Sequence, residues 1–215
     1  ASDLQLETAA VRASGDLSLV STSGSISTAS GADQEVRSTS GKLTVNAGAS
    51  LNNAGLMIAE GGNADFTAGG LLSNSKLLLA LGALKVTAAS VANTAAGAIS
   101  GLDSLAMTTT TGNILNQGLL YAGNQLTVTA DTTGKTGLFT NKGEIRSGGD
   151  VVLTADTFVN NRLIEANQDI TITTNTAFLN EVEGGVPART TTEDIVNNGE
   201  YLPWVMEGGG CIACD

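Results

Sequence analysis

Apolar and polar positions alternate along most of the chain, and the alternation recurs in units of about 20 residues. The stretch Phe139 to Ala155 (FTNKGEIRSGGDVVLTA) shows one unit: an apolar residue, Asn two positions later, then further apolar residues at mostly alternate positions. Because residues i and i+2 point to the same side of a β-strand, this pattern predicts strands rather than helices. A unit of this length that repeats predicts a solenoid of stacked coils.

One polar position keeps the same residue in seven successive units. The steps between consecutive members are 21, 19, 23, 25, 19 and 20 residues, by subtraction of their numbers. The seven are Asn53, Asn74, Asn93, Asn116, Asn141, Asn160 and Asn180. Stacked coils place equivalent residues about 4.8 Å apart, so we expect a structural ladder of hydrogen-bonded amides. The same stacking predicts an aromatic stack of Phe139, Phe158 and Phe178.

The strand period and the repeat together predict an all-β chain folded as a parallel β-helix, with coils of about 20 residues. One coil cannot bury its apolar side alone, and stacking buries that side in a continuous core. The chain length predicts about nine or ten coils and a rod of roughly 45 Å. The most apolar stretch, Leu71 to Val86, fits the repeat columns, so we interpret it as core rather than as a membrane span.

The repeat divides the chain into three regions. Residues 1–50 are rich in Ser, Thr and Gly and lack the asparagine, which predicts irregular coils. Residues 51–180 hold the regular repeat, with insertions at Ala96–Gly97 and around Asp131 to Gly137. Residues 181–215 carry seven acidic residues against one Arg and predict a cap or a tail. A degenerate unit in that last region would use Ile195, Asn197 and Gly199.

Charge and composition narrow the possible chemistry. The net charge is −11, the ten Lys and Arg are scattered, and there is no His. Phosphate-backbone binding needs clustered basic residues, so a nucleic-acid partner is not expected. We predict no metal site, no cofactor and no enzymatic activity, since no column brings carboxylates together in a groove. Four aspartates are candidates for catalytic carboxylates in name only: Asp131, Asp150, Asp156 and Asp169.

Two charged pairs are predicted to be surface ion pairs rather than catalytic groups: Glu144 with Arg146, and Glu165 with Arg162.

The C-terminal region holds the sharpest local motif, Cys211-x-x-Cys214. No thioredoxin-like pattern surrounds it, and two Cys with no His cannot complete a zinc site. A disulfide is the natural state in an exported protein, although so short a loop would stabilise the fold little. The nearby Tyr201, Pro203 and Trp204 predict either a recognition patch or, as the favoured interpretation, a plug over the open end of the core.

The unit Leu/Phe-x-Asn-x-Gly-x-Ile-x-Ala/Ser-x-Gly-x-Leu-x-Val-x-Ala resembles the filamentous haemagglutinin repeat. The resemblance covers roughly residues 50–180 and, more weakly, residues 1–50. It implies a right-handed parallel β-helix exported by two-partner secretion through an outer-membrane transporter of a Gram-negative bacterium. The chain begins in mid-pattern, which we interpret as a segment of a longer protein.

The resemblance implies a structural and adhesive rod that is secreted or displayed at the cell surface. Its expected partners are the transporter and a receptor: a host cell, a polysaccharide or an outer-membrane protein of a neighbouring cell. In some members a C-terminal cysteine pair resembles a hook that retains the rod, which would assign that role to Cys211 and Cys214. Two alternatives are a stalk or receptor-binding segment of a contact-dependent growth-inhibition effector, and a β-helical carbohydrate-active enzyme.

Overall fold

A computed structural model describes residues 2–7, 10–31, 34–131, 134 and 136–181, and the backbone of residues 196–197. In these ranges the regular secondary structure is entirely β-strand, and none of these residues forms a helix that could span a membrane. The strands are β1 (Leu4–Leu6), β2 (Val11–Ala13), β3 (Leu17–Ser21), β4 (Ile26–Thr28), β5 (Glu35–Ser38), β6 (Leu43–Ala47), β7 (Leu51–Asn53), β8 (Leu56–Ala59), β9 (Ala64–Asn74), β10 (Leu77–Ala80), β11 (Leu84–Asn93), β12 (Ala98–Gly101), β13 (Ser104–Thr109), β14 (Ile114–Asn116), β15 (Leu119–Ala122), β16 (Gln125–Thr129), β17 (Leu138–Asn141), β18 (Glu144–Ser147), β19 (Asp150–Asn160), β20 (Ile164–Ala166), β21 (Ile170–Asn180) and β22 (Val196–Asn197).

The described strands pair in parallel and wind into a β-solenoid with three sides per coil. The first and second sides belong to one 14-stranded sheet, because the long strands β9, β11, β19 and β21 continue from one side to the next. Register shifts between Ala88 and Ser90, and between Ala155 and Thr157, mark that corner in β11 and β19. The third side is a separate eight-stranded sheet in the order β2-β5-β8-β10-β12-β15-β18-β20.

The β-helix prediction is therefore confirmed, with about 8 turns of roughly 21 residues in the described part of the chain. Two of the described coils are longer than this average. Leu17 pairs with Leu43 and Leu126 with Val151, spacings of 26 and 25 residues by subtraction. Strands β3, β6 and β9 form one continuous ladder across residue 50.

The core consists of columns of large apolar side chains, two from the first side of the coil and one each from the second and third sides. On the second side the column ends in the predicted aromatic stack, which is confirmed: ring centroids are 4.8 Å apart for Phe139–Phe158 and 5.4 Å for Phe158–Phe178. The third-side column contains Val36, Met57, Leu78, Ile99, Leu120, Ile145 and Ile164, all at most 1% exposed. Stacking thus removes from water an apolar surface that no single coil could bury.

The apolar stretch Leu71 to Val86 is core only at alternate positions. Leu72, Leu78 and Leu84 are at most 1% exposed, whereas Leu71 and Leu81 are 39% and 44% exposed. The residues at the repeat columns therefore face the core as predicted, and residues between them are more exposed because adjacent residues of a strand point to opposite faces.

The degenerate unit predicted after residue 190 does not continue the asparagine column. Strand β22 pairs with the first half of β21, which sets Asn197 opposite Thr174 and not beside Asn180. Ile195 and Gly199 lie outside the described residues.

Candidate functional site: the surface and polar columns of the solenoid

The seven predicted asparagines occupy one column on the inner side of the coils. Each of the first six donates Nδ2–H to Oδ1 of the next, with distances of 2.8 to 2.9 Å. Asn53, Asn74, Asn93, Asn116, Asn141 and Asn160 are at most 2% exposed. These six amides are committed to one another inside the coil, so this column holds the solenoid together rather than binding a ligand.

Thr28 occupies the ladder position in the coil before Asn53. Its Oγ1 hydroxyl lies 2.8 Å from Asn53 Oδ1, and β4 pairs with β7 so that Thr28 is opposite Asn53. Sequence reasoning missed it because the residue is not asparagine. The signal that could have found it is the parallel between Ile26-x-Thr28 and Leu51-x-Asn53.

Three of the four named aspartates accept hydrogen bonds through their side chains, and Asp169 takes part through its backbone. Asp131, 4% exposed and with a φ of 52°, accepts hydrogen bonds from the backbone N–H of Gly134 at 2.7 Å and of Thr136 at 3.1 Å, and so shapes the loop after β16. Asp150 accepts from the Asp169 N–H at 3.2 Å, and Asp156 accepts from the Thr176 hydroxyl at 2.8 Å. Among the described residues, no group of three or more His, Cys, Asp or Glu could hold a metal ion.

Arg146 is the centre of the ion pairs on β18 and β20. Its Nε lies 2.9 Å from Glu144 Oε2, which confirms that predicted pair. Its Nη1 lies 3.1 Å from Glu165 Oε2, so the predicted pairing of Glu165 with Arg162 was wrong. The parallel register sets Glu165 directly beside Arg146, while Arg162 precedes β20 at the corner.

A second ion-pair cluster, missed by sequence reasoning, crosses β2, β5 and the turn after β8. Arg12 and Arg37 both donate to Glu35, and Arg37 also donates to Glu60. Arg37 and then Arg12, by hydrogen bonding to the carboxylate, lower the pKa of Glu35 below its ordinary value. Arg12 and Glu35, and likewise Arg37 and Glu60, are 23 positions apart, so only the register of the coils brings these pairs together.

The family assignment rests on the whole length of the repeat. The haemagglutinin repeat model matches residues 1–118 and 98–199. This chain belongs to the haemagglutinin repeat family. The resemblance to filamentous haemagglutinin-type repeats is thereby confirmed, and the family is structural and adhesive rather than enzymatic. Its repeats are typical of secreted or surface-associated bacterial proteins. No curated protein and no solved structure matches the chain.

One open groove follows the corner between the second and third sides of this haemagglutinin repeat rod. It begins at the predicted Ala96–Gly97 insertion, where the Gly97 N–H donates to the Thr94 carbonyl at 2.8 Å and closes a turn. Its lining is Ala95, Ala96, Gly97, Ala98, Gln117, Gly118, Leu119, Lys142, Gly143, Glu144 and Arg162. The charges here have both signs, and the groove has no pair of carboxylates arranged for acid–base chemistry.

The remaining predicted site residues, Tyr201, Pro203, Trp204, Cys211 and Cys214, lie outside the described residues of the haemagglutinin repeat rod. Their roles as a cap, a recognition patch or an anchor stay predictions.

Proposed function

We propose that this chain is a rod segment of an adhesin that two-partner secretion exports to the surface of a Gram-negative bacterium. The observation that carries the proposal is the haemagglutinin repeat match over residues 1–199, together with a solenoid whose coils stack without interruption from β1 to β21. Each coil contacts only its neighbours, so the rod grows in one direction and presents a long outer surface.

The proposed mechanism is display. An extended surface that repeats every coil engages a receptor through many weak contacts, whose combined strength exceeds that of any one contact. The receptor would be a host cell, a polysaccharide or an outer-membrane protein of a neighbouring cell, and the export partner would be the two-partner transporter. The net charge of −11 favours such partners over nucleic acid.

Retention at the surface is assigned to Cys211 and Cys214 as a disulfide hook. A disulfide forms readily outside the cytoplasm, and one that closes so short a loop adds little stability, which favours a role other than stabilising the fold.

The test compares Cys211→Ser and Cys214→Ser with Ala213→Ser, which changes a residue between the two cysteines and keeps both thiols. In cells that express the full protein with its transporter, both cysteine variants should move the protein from the cell surface into the medium, and adhesion of the cells should fall with it. The Ala213→Ser protein should stay at the surface. If the cysteine variants are retained at the surface like the unmodified protein, the proposed role of the disulfide as a hook is contradicted.

If the protein is retained at the surface and its deletion leaves the adhesion of the cells unchanged, the adhesive role itself is contradicted. A toxin domain encoded directly after Asp215 would instead assign the rod to a growth-inhibition effector and exclude a terminal hook.

A further inference from the structure

An apolar patch covers the middle of the third side of the rod, on the face turned away from the core. Its side chains alternate with the buried Met57, Leu78 and Leu120, so they point outward. Leu81 and Leu102, which directly follow β10 and β12, are 44% and 47% exposed. We call this patch the leucine face; it consists of the partly or fully exposed Leu56, Leu77, Leu79, Leu81, Leu102, Leu119 and Tyr121, together with Ile58, which occupies the same outward position of β8 but is only 6% exposed.

The leucine face departs from the rest of the outer surface. Outward positions of a strand that borders water are ordinarily polar, as in the column of Thr67, Thr87, Thr108, Thr129, Thr154 and Thr173 on the first side. Here β8, β10 and β15 carry apolar residues at the outward positions of one sheet, and the intervening β12, whose outward residues are Ala98 and Ser100, is followed directly by the exposed Leu102. A contiguous exposed apolar patch marks an interaction site.

Charged residues close both ends of the leucine face in the same order. Parallel register defines two outward columns, the first Glu35, Leu56, Leu77, Ala98, Leu119 and Glu144, the second Arg37, Ile58, Leu79, Ser100, Tyr121 and Arg146. At each end the first column therefore carries a glutamate, and the second column carries an arginine beside it. Glu35 and Arg37 lie on β5, and Glu144 and Arg146 lie on β18.

We propose that the leucine face binds a second copy of this chain, side by side and in the same direction, about a two-fold axis parallel to the solenoid axis. That symmetry sets the first column of one copy against the second column of the other at every coil. Glu35 then faces the partner's Arg37, and Glu144 faces the partner's Arg146. Between these two charged ends Leu77 faces the partner's Leu79, and Leu119 faces the partner's Tyr121. The contact is isologous, so each pair occurs twice.

The charge order excludes the opposite arrangement. If the two rods ran in opposite directions, the first column of one copy would face the first column of the other, with the coils in reverse order. Glu35 would then meet the partner's Glu144, and Arg37 would meet the partner's Arg146. Like charges placed together at both ends oppose that docking. The same order argues for a second copy over an unrelated apolar ligand, because only this chain supplies the complementary charges at the same coil spacing.

The size of the face sets the strength of the contact. Six strands at about 4.8 Å and three to four residues of width give a sheet area of about 300–400 Å² per copy. That is below the roughly 800 Å² per partner of a standard stable interface, so the expected dimer is weak and reversible. Rods held close together on one surface would pair more readily, because tethering raises their effective concentration. The pairing does not depend on the adhesive role.

The first test is sedimentation equilibrium of the purified 215-residue chain over a concentration series. A thiol reductant is added so that Cys211 and Cys214 cannot link copies. We expect a reversible dimer that Leu79→Glu weakens at least about tenfold. The matched control is Leu71→Glu, because Leu71 is 39% exposed on the second side, away from the leucine face. This control should dimerise like the unmodified chain, and circular dichroism checks that both variants fold.

The second test reads the direction of pairing. Glu144→Arg and Arg146→Glu each place like charges at one end of the parallel dimer, so each variant alone should dimerise more weakly. An equimolar mixture restores opposite charges across the contact and should dimerise more tightly than either variant.

Three results would overturn the proposal. The unmodified chain could stay monomeric over the whole series, or Leu79→Glu could leave the dimer intact. Tighter pairing by Glu144→Arg alone would instead indicate the antiparallel arrangement.

Discussion

The side chain of Asn116 illustrates why one amide recurs in each regular coil. Its Nδ2 lies 2.8 Å from Asn141 Oδ1 and 3.3 Å from the carbonyl oxygens of Gly118 and Glu144. Its Oδ1 accepts from Asn93 at 2.8 Å. A single buried residue thus satisfies polar groups in its own coil and in both neighbours. An apolar side chain of similar size would leave those groups buried without partners.

Asn116→Ala should lower the free energy of unfolding by about 2–4 kcal/mol, because it leaves the Asn93 amide and the Asn141 carbonyl oxygen short of partners and opens a small cavity. Urea unfolding followed by circular dichroism measures the change. The control Asn52→Ala alters an exposed asparagine on the outward face of β7 and should cost less than about 0.5 kcal/mol. Equal costs for the two substitutions would contradict the structural role of the ladder.

Residues of one type that return at the same position of each repeat could be predicted from the sequence. Contacts between different residue types in neighbouring coils could not, because they depend on the register between the coils. The asparagine and phenylalanine columns could be predicted because one residue type returns at one position of the repeat. Thr28 and the contact of Arg12 with Glu35 join coils whose spacing departs from 20 residues. Their pairing depends on how much chain each corner takes up, which the repeat alone does not specify.

At the scale of the coil, glycine forms the corner after four of the ladder asparagines, as Gly55, Gly97, Gly118 and Gly143. A Cβ atom on Gly118 would lie 2.0 Å from the Gly97 carbonyl oxygen, and one on Gly143 would lie 2.0 Å from the Gly118 carbonyl oxygen. Consecutive coils therefore approach backbone to backbone at this corner. The Asn-x-Gly motif combines the amide that ties the coils together with the residue that lets them come this close.

Gly118→Ala should therefore destabilise the fold by about 2 kcal/mol or more, since the clash is with backbone and not with a flexible side chain. The control is Gly15→Ala, because nothing lies within 4 Å of a Cβ placed there. Midpoints of urea unfolding compare the two variants. A Gly118→Ala protein as stable as the control would show that the corner can widen at little cost.

The elements themselves followed from the alternation, but their arrangement around the coil did not. Period-two patterning predicted strands, and the structure contains them in every regular unit. Strands β9 and β19 each continue from the first side of the coil to the second. This continuation depends on a bulge at the corner, and the bulge has no distinct residue pattern in the sequence. The leucine face was hidden for a related reason: Leu77 and Leu78 are equally apolar, and only the register shows which one points outward.

For the whole molecule, stability should vary along the axis. In the described residues β1, β2 and β3 each pair on one side only, and their core residues Leu4, Leu6 and Leu17 are partly exposed. One coil further on, Ile26 and Leu43 are fully buried. An end coil lacks one neighbour, so it opens at lower free energy than a coil in the middle of the stack.

Hydrogen exchange followed by mass spectrometry should therefore find the weakest protection in β1–β3 and the strongest in the central strands β11–β16. The gradient arises because opening an end coil breaks one interface, whereas opening a central coil breaks two. Uniform protection along the chain would mean that the solenoid opens as one cooperative unit.

The asparagine ladder also gives the rod a direction. The Thr28 hydroxyl donates a hydrogen bond to Asn53. Each asparagine from Asn53 to Asn160 donates an amide hydrogen bond to the asparagine of the next coil. The side-chain dipoles add along the axis, as peptide dipoles add along a helix. A growing stack consequently offers hydrogens at its C-terminal end and oxygens at its N-terminal end. A chain that emerges N-terminus first lays each new coil on donors already in place, so winding proceeds toward the C-terminus on a prepared template.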